Sequence, residues 1–173
     1  MRIVELLKTD AIVLGAEVST KEEMLDFMID LHAKAGNITD RCAFKEAILE
    51  REAEGPTAIA EGICIPHAKN RAVCEAGITA LTVSAGVDCG AMDGQPSTLF
   101  FMIAAPESGA DLHLEALARL STLLMDDKFR ENLLHAASAE DFLKAVDEKE
   151  TEKYGKETEK SKGFLAGLFK KKN

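Results

Sequence analysis

The sequence predicts an α/β domain, one sheet covered by helices on both faces. Three observations carry this reading. Short apolar and β-branched runs alternate along the chain with segments of helical periodicity. Residues 98–105 form an unbroken apolar run, the pattern of a strand buried on both sides. At 173 residues and 46% hydrophobic content, the chain suits a single core. Helices intermixed with strands can bury both kinds of apolar surface only by packing on the two faces of a sheet.

Taken in order, Ile12, Val13 and Leu14 read as a short strand. Residues 19–35 follow as a helix: Ser19 and Glu22 have capping-box spacing, Met24, Met28, Leu31 and Ala35 form a stripe, and Gly36-Asn37 stops it. Residues 39–54 read as a second helix. Phe44, Ala47 and Ile48 lie at i, i+3 and i+4, and Arg51 falls at i+7, which sets a guanidinium in phase with the core. Residues 57–60 and 63–65 are strand-like, and 78–85 alternate as a strand. The turn-rich stretch 86–96 then leads to the apolar run, with Asp88 and Asp93 placed for turn formation. Residues 106–111 are turn chemistry, and helices are expected over 112–125, 127–136 and 139–147.

After Asp147 the composition changes to Glu, Lys, Thr and Ser, with almost no apolar residue until Gly163. That is linker chemistry, so the expected division is a domain over 1–147 and a charged linker or disordered tail over 148–173. The tail ends in a small apolar patch, Phe164 to Phe169, followed by lysines. It carries eight Lys and five Glu, a net of +3, which leaves −12 on residues 1–147 from the chain's −9. So acidic a domain repels nucleic acid and suits a basic protein partner.

No run approaches the length of a membrane span, and the first residues lack the apolar stretch of a signal peptide, so the expected compartment is the cytoplasm. Cys42, Cys64, Cys74 and Cys89 show no C-x-x-C pair, which predicts free thiols and no zinc site.

The chemistry concentrates around Ile63-Cys64-Ile65-Pro66-His67-Ala68. Pro66 fixes its own φ and pushes Ile65 to extended geometry, so His67 is expected to leave a strand end, presented to solvent, from a stiff backbone. His113 falls in the first turn of the helix after the 106–111 turn, where the dipole disfavours imidazolium and favours a nearby anion. With Arg51 these two histidines make a constellation for an anion. By itself an Ile-Pro-His tripeptide identifies nothing; the company it keeps does. His32 and His135 sit near helix ends and need no function. Thr57 could add a hydroxyl to the site or be merely structural. A hydrolase reading, with Ser121 or a cysteine as nucleophile and His67 as base, lacks a G-x-S-x-G elbow. No G-x-x-x-x-G-K-[ST] loop occurs either, so nucleotide is not the expected donor and no cofactor is expected.

The segments Arg51 to Lys69, Met92-Asp93-Gly94-Gln95-Pro96 and His113 to Ser121, in this order, resemble enzyme IIA of the fructose/mannitol type in the bacterial phosphoenolpyruvate-dependent sugar phosphotransferase system, closest to fructose-type members. The resemblance covers about residues 1–147. It implies a mixed sheet, transient phosphorylation of His67, a second site histidine at His113, and support of the phosphoryl group by Arg51. It also implies a histidine phosphocarrier protein as donor, an enzyme IIB domain as acceptor and, indirectly, a membrane sugar permease. A regulatory relative, which controls partner proteins through its phosphorylation state, is the alternative. The chain departs from the family in having Ala58-Ile59-Ala60 where Gly-Ile-Gly is usual. Alanine would strain that loop if those glycines held positive φ.

Overall fold

The computed structural model describes residues 1–108 and 111–170, with side chains to residue 155. The chain runs α1 (Ile3–Leu6), β1 (Leu7–Val13), α2 (Lys21–Lys34), α3 (Arg41–Glu54), β2 (Ile63–Cys64), β3 (His67–Asn70), β4 (Gly77–Val87), β5 (Ser97–Pro106), α4 (Leu112–Leu123), α5 (Asp127–Leu134) and α6 (Ala139–Lys170). The sheet is mixed, as the resemblance implies. Its order is β1-β4-β5-β2, with β3 also on β5; β4 and β5 are antiparallel, and β1, β2 and β3 run parallel to their neighbours.

Helices cover both faces. Alternation along β5 sends Phe100, Met102 and Ala104 to a core with Met24, Met28, Phe44 and Ile48 of α2 and α3. Leu99, Phe101 and Ile103 go to a second core with Ile3, Leu120, Phe129 and Phe142 of α1, α4, α5 and α6. Period-2 side chains on a strand covered twice give this division directly.

The helix starts are made by short polar side chains. Thr20, Asp40 and Asp126 each accept the N–H of the third helical residue. For α2 the cap lies one residue later than the Ser19–Glu22 spacing predicts: Thr20 takes the Glu23 N–H at 3.2 Å, and Glu23 takes the Ser19 N–H at 2.9 Å. Residues 57–60 are not a strand; only Ala58 bridges, antiparallel, to Cys64. The left-handed residues of this loop are Glu61 (φ 66) and Gly62 (φ 73), so Ala58 and Ala60 stand without strain. Asp93 Oδ2 holds the Glu61 N–H at 3.1 Å.

The break expected after Asp147 is absent. α6 continues through it, and the stripe of Phe142 and Val146 extends at i+4 spacing to Glu150, 1% exposed, and to Tyr154. Glu150 accepts the N–H groups of Ile3 at 2.9 Å and Val4 at 3.1 Å, and so caps α1. Arg119 pairs with the same carboxylate at 3.7 Å and lies 4.2 Å above the Tyr154 ring. Lys and Glu are good helix formers as well as good linker residues, and here a buried carboxylate replaces the apolar anchor that a linker lacks. The apolar patch from Phe164 to Phe169 lies outside the described side chains. Among the described residues no helix is long and apolar enough to cross a membrane.

Candidate functional site

β2 and β3 are one lane of the sheet. Ile63 pairs with Leu99 and His67 with Ile103, the same offset, so the register runs unbroken across Ile65 and Pro66. Pro66 interrupts the ladder because it has no N–H, while its carbonyl still accepts the Ile103 N–H at 3.0 Å. His67 therefore opens a strand instead of ending one. It is also buried, at 8% exposed, where the sequence predicted a presented side chain. A strand on a covered sheet leaves even its polar residues little surface. Reactivity here depends on one atom and not on the whole ring.

That atom is defined by the ring's other nitrogen. His67 Nδ1–H donates to the Ile65 carbonyl at 2.9 Å, which fixes the neutral ring with its lone pair on Nε2. Among the described residues Nε2 has no hydrogen-bond partner, and the ring lines a cleft of about 380 Å³.

Because the β2/β3 lane is an outer lane of the sheet, helices from both faces reach the same cleft. α3 brings Arg51, Glu50 and Glu54; α4 brings His113 and Leu114; β3 adds Lys69 and Asn70. The structure thus gathers all three residues singled out in the sequence. The His67 and His113 rings lie 6.5 Å apart between centroids, tilted by 33°. His113 is in the first turn of α4, as expected, and its Nδ1 is buried without a partner among the described residues. Its pKa lies below the usual histidine value, mainly through burial, then through His67 and Lys69, with Asp111 opposing. His113 is accordingly neutral at neutral pH.

Arg51 Nη1 donates to the Gly55 carbonyl at 2.8 Å, tethering the guanidinium to the end of its own helix. Among the described residues it forms no ion pair with Glu50 or Glu54, which leaves its other guanidinium N–H groups open to an anion in the cleft. The sequence reading missed Lys69. Its signal was period-2 spacing from His67, which puts both side chains on one side of β3. Thr57 does not line the cleft; its hydroxyl donates to Glu52 Oε1 and lies 3.7 Å from Cys64 Sγ.

The other histidines divide. His135 is exposed and bonds the Glu131 carbonyl at 2.8 Å. His32, near the end of α2, is fully buried. Its Nε2–H donates to the Met102 carbonyl at 3.0 Å, its Nδ1 accepts from Asn37 at 3.0 Å, and burial pushes its pKa down to about 4. The four cysteines are free thiols, Cys64 and Cys89 buried, Cys42 and Cys74 exposed.

Fold and cleft together describe an α/β domain in which two histidines, an arginine and a lysine line one cleft at the outer lane of the sheet. The family model of the phosphoenolpyruvate-dependent sugar phosphotransferase system, EIIA 2, matches residues 5–149, and the chain belongs to that family. It is 46% identical over 148 residues to the PTS system fructose-specific EIIABC component of Bacillus subtilis (strain 168), covering 86% of this chain and 23% of that protein's length. It is 43% identical over 120 residues to the PTS system fructose-specific EIIA component of Haloferax volcanii, covering 69% of this chain and 78% of that one. Among solved structures it resembles the nitrogen regulatory protein IIA-Ntr of Neisseria meningitidis, with a TM-score of 0.78 at 28% identity, covering 83% of this chain and 98% of that one. It also resembles the complex of enzyme IIAMTL with phosphorylated enzyme IIBMTL from Escherichia coli, with a TM-score of 0.72 at 26% identity over 82% of this chain and 99% of that one.

Proposed function

We propose that the domain is a protein-to-protein phosphotransferase of the cytoplasm. It accepts a phosphoryl group on His67 Nε2 from the histidine phosphocarrier protein and passes it to an enzyme IIB domain, for the uptake of a sugar, fructose. The observation that carries this reading is the engaged Nδ1 of His67, which leaves a lone pair on Nε2 beside His113, Arg51 and Lys69. In the transfer the Nε2 lone pair attacks phosphorus as the donor's N–P bond breaks, and that bond's electron pair returns to the donor nitrogen. The proton stays on Nδ1, hydrogen-bonded to the Ile65 carbonyl, throughout. Arg51 and Lys69 balance the charge of the phosphoryl oxygens, and neutral His113 offers a hydrogen bond without repelling the incoming donor. Phosphoryl transfer asks mainly for this positioning and charge compensation. The fructose assignment rests on the two fructose-specific relatives.

A regulatory role, in which the phosphorylation state controls partner proteins, is favoured by the likeness to IIA-Ntr. Reconstitution decides between them. The chain is combined with labelled phosphoenolpyruvate, the two general phosphotransferase proteins and membranes holding candidate permeases. Label on His67 that is acid-labile, alkali-stable and discharged by one sugar supports transport and names the sugar. Label retained with every sugar supports regulation, and undiminished labelling of His67→Ala refutes both.

A further inference from the structure

One buried carboxylate is not used by the phosphoryl chemistry itself. Glu52, near the end of α3, keeps 6% of its side chain exposed and pairs with Lys21 Nζ at 2.6 Å. Thr57 engages both of its oxygens: the hydroxyl donates to Oε1, and the N–H reaches Oε2 at 3.4 Å. A carboxylate withdrawn from water needs such pairing, and once paired it holds its donors in fixed places.

What Thr57 holds in turn is the site. Its carbonyl accepts the Ile65 N–H at 3.1 Å, and the Ile65 carbonyl accepts His67 Nδ1–H at 2.9 Å. Pro66 has no N–H, so the Ile65–Pro66 peptide lacks a donor to anchor it. Its orientation rests on the Thr57 bond before it and on the Pro66 carbonyl's bond from Ile103 after it.

We propose that Glu52 is a positioning residue for His67, acting through Thr57 to hold the Ile65 carbonyl where it takes the Nδ1 proton and leaves Nε2 as the nucleophile. The proton's place on a neutral imidazole follows the hydrogen bond that one nitrogen makes, so a carbonyl free to swing would release both tautomers. The inference rests on the phosphocarrier reading only for what Nε2 is used for; the tautomer is a property of the free protein.

The test is therefore read first without any donor. Nitrogen–proton correlation spectra of the full chain at neutral pH report which His67 nitrogen carries the proton. Wild type should show Nδ1–H alone. Glu52→Gln, which keeps the shape and weakens the acceptor, and Thr57→Val, which removes the hydroxyl, should each show a mixture. Each should also label from phosphoenolpyruvate and the general proteins about fivefold more slowly, the order set by one lost hydrogen bond. Thr57→Ser keeps the hydroxyl and should restore both readouts. Wild-type tautomer and rate in both variants, with only the melting temperature lowered, would overturn the proposal. Should Glu52→Gln fail to fold, Thr57→Val and Thr57→Ser decide by the same two readouts. An unlabelled wild type whose tautomer still shifts in the variants would remove the phosphocarrier reading and leave this inference standing.

Discussion

Replacing Glu150 with alanine should destabilise the domain by about 3 kcal/mol, the lower end for two hydrogen bonds to a charged group at roughly 1.5 kcal/mol each. The carboxylate takes two backbone N–H groups of α1, at 2.9 and 3.1 Å, from a position 1% exposed. Its removal leaves the Ile3 N–H buried without an acceptor and Arg119 without its anion. Arg119 keeps its place over Tyr154, which holds the loss to that lower end. For a domain of this size the melting temperature should drop by roughly 10 °C, at about 2–4 °C per kcal/mol. Urea unfolding followed by circular dichroism measures the change, with an unchanged m-value as the check on two-state behaviour. Truncation after Asp147 should lower stability at least as far, because it also removes the Lys149–Asp126 bond of 2.6 Å. A loss below about 1 kcal/mol in Glu150→Ala, or a chain ending at Asp147 as stable as the full one, would refute the argument that α6 locks α1 and would return the domain boundary to residue 147.

Three further outcomes are expected. Arg51→Lys keeps the charge but loses the planar fork, so labelling of His67 should slow in a protein with wild-type stability; equal rates would make Arg51 only the tether to Gly55. His113→Ala should still be labelled but should pass the phosphoryl group onward about 10²-fold more slowly, as for one lost positioned donor, and equal effects on both steps would reduce His113 to a helix-start residue. His32, neutral in the fold with a pKa of about 4 against 6.5 for the free group, lets the unfolded chain bind a proton that the folded chain refuses. Its contribution is thus fully present above 6.5 and lost as the pH falls toward about 4, so the urea midpoint should decline through that window. An NMR titration that puts His32 near 6.5 would contradict this.

The cleft could be read in the sequence where its residues lie in phase with the core. Arg51 falls on the stripe of Phe44 and Ile48, and His113 follows a turn directly, so periodicity and capping place both side chains. The burial of His67 could not be read that way. A proline before a histidine looks like the end of a strand, and only the pairing of Ile63 with Leu99 and His67 with Ile103 shows that the lane resumes. Glu150 was hidden for a related reason. It continues a helical stripe in which the buried residue is charged, and a pattern scored on apolar residues stops one turn short. Thr20 displaced Ser19 as the cap of α2 because both residues satisfy the same local chemistry, and the pairing of Glu23 with the Ser19 N–H settled the choice between them.

Pro66 also bears on how the chain avoids its own copies. An outer strand with free N–H and C=O groups is a template for strand addition and aggregation, and a reactive residue placed there exposes the protein to that hazard. Along β2 the outward groups are already taken, by the Ile59 N–H on the Ile63 carbonyl and by the Thr57 carbonyl on the Ile65 N–H. Pro66 offers no donor at the next position, so an incoming strand cannot extend across it. What remains of this lane is β3, four residues long and carrying the charged Lys69, which is too short and too polar to seed a growing sheet.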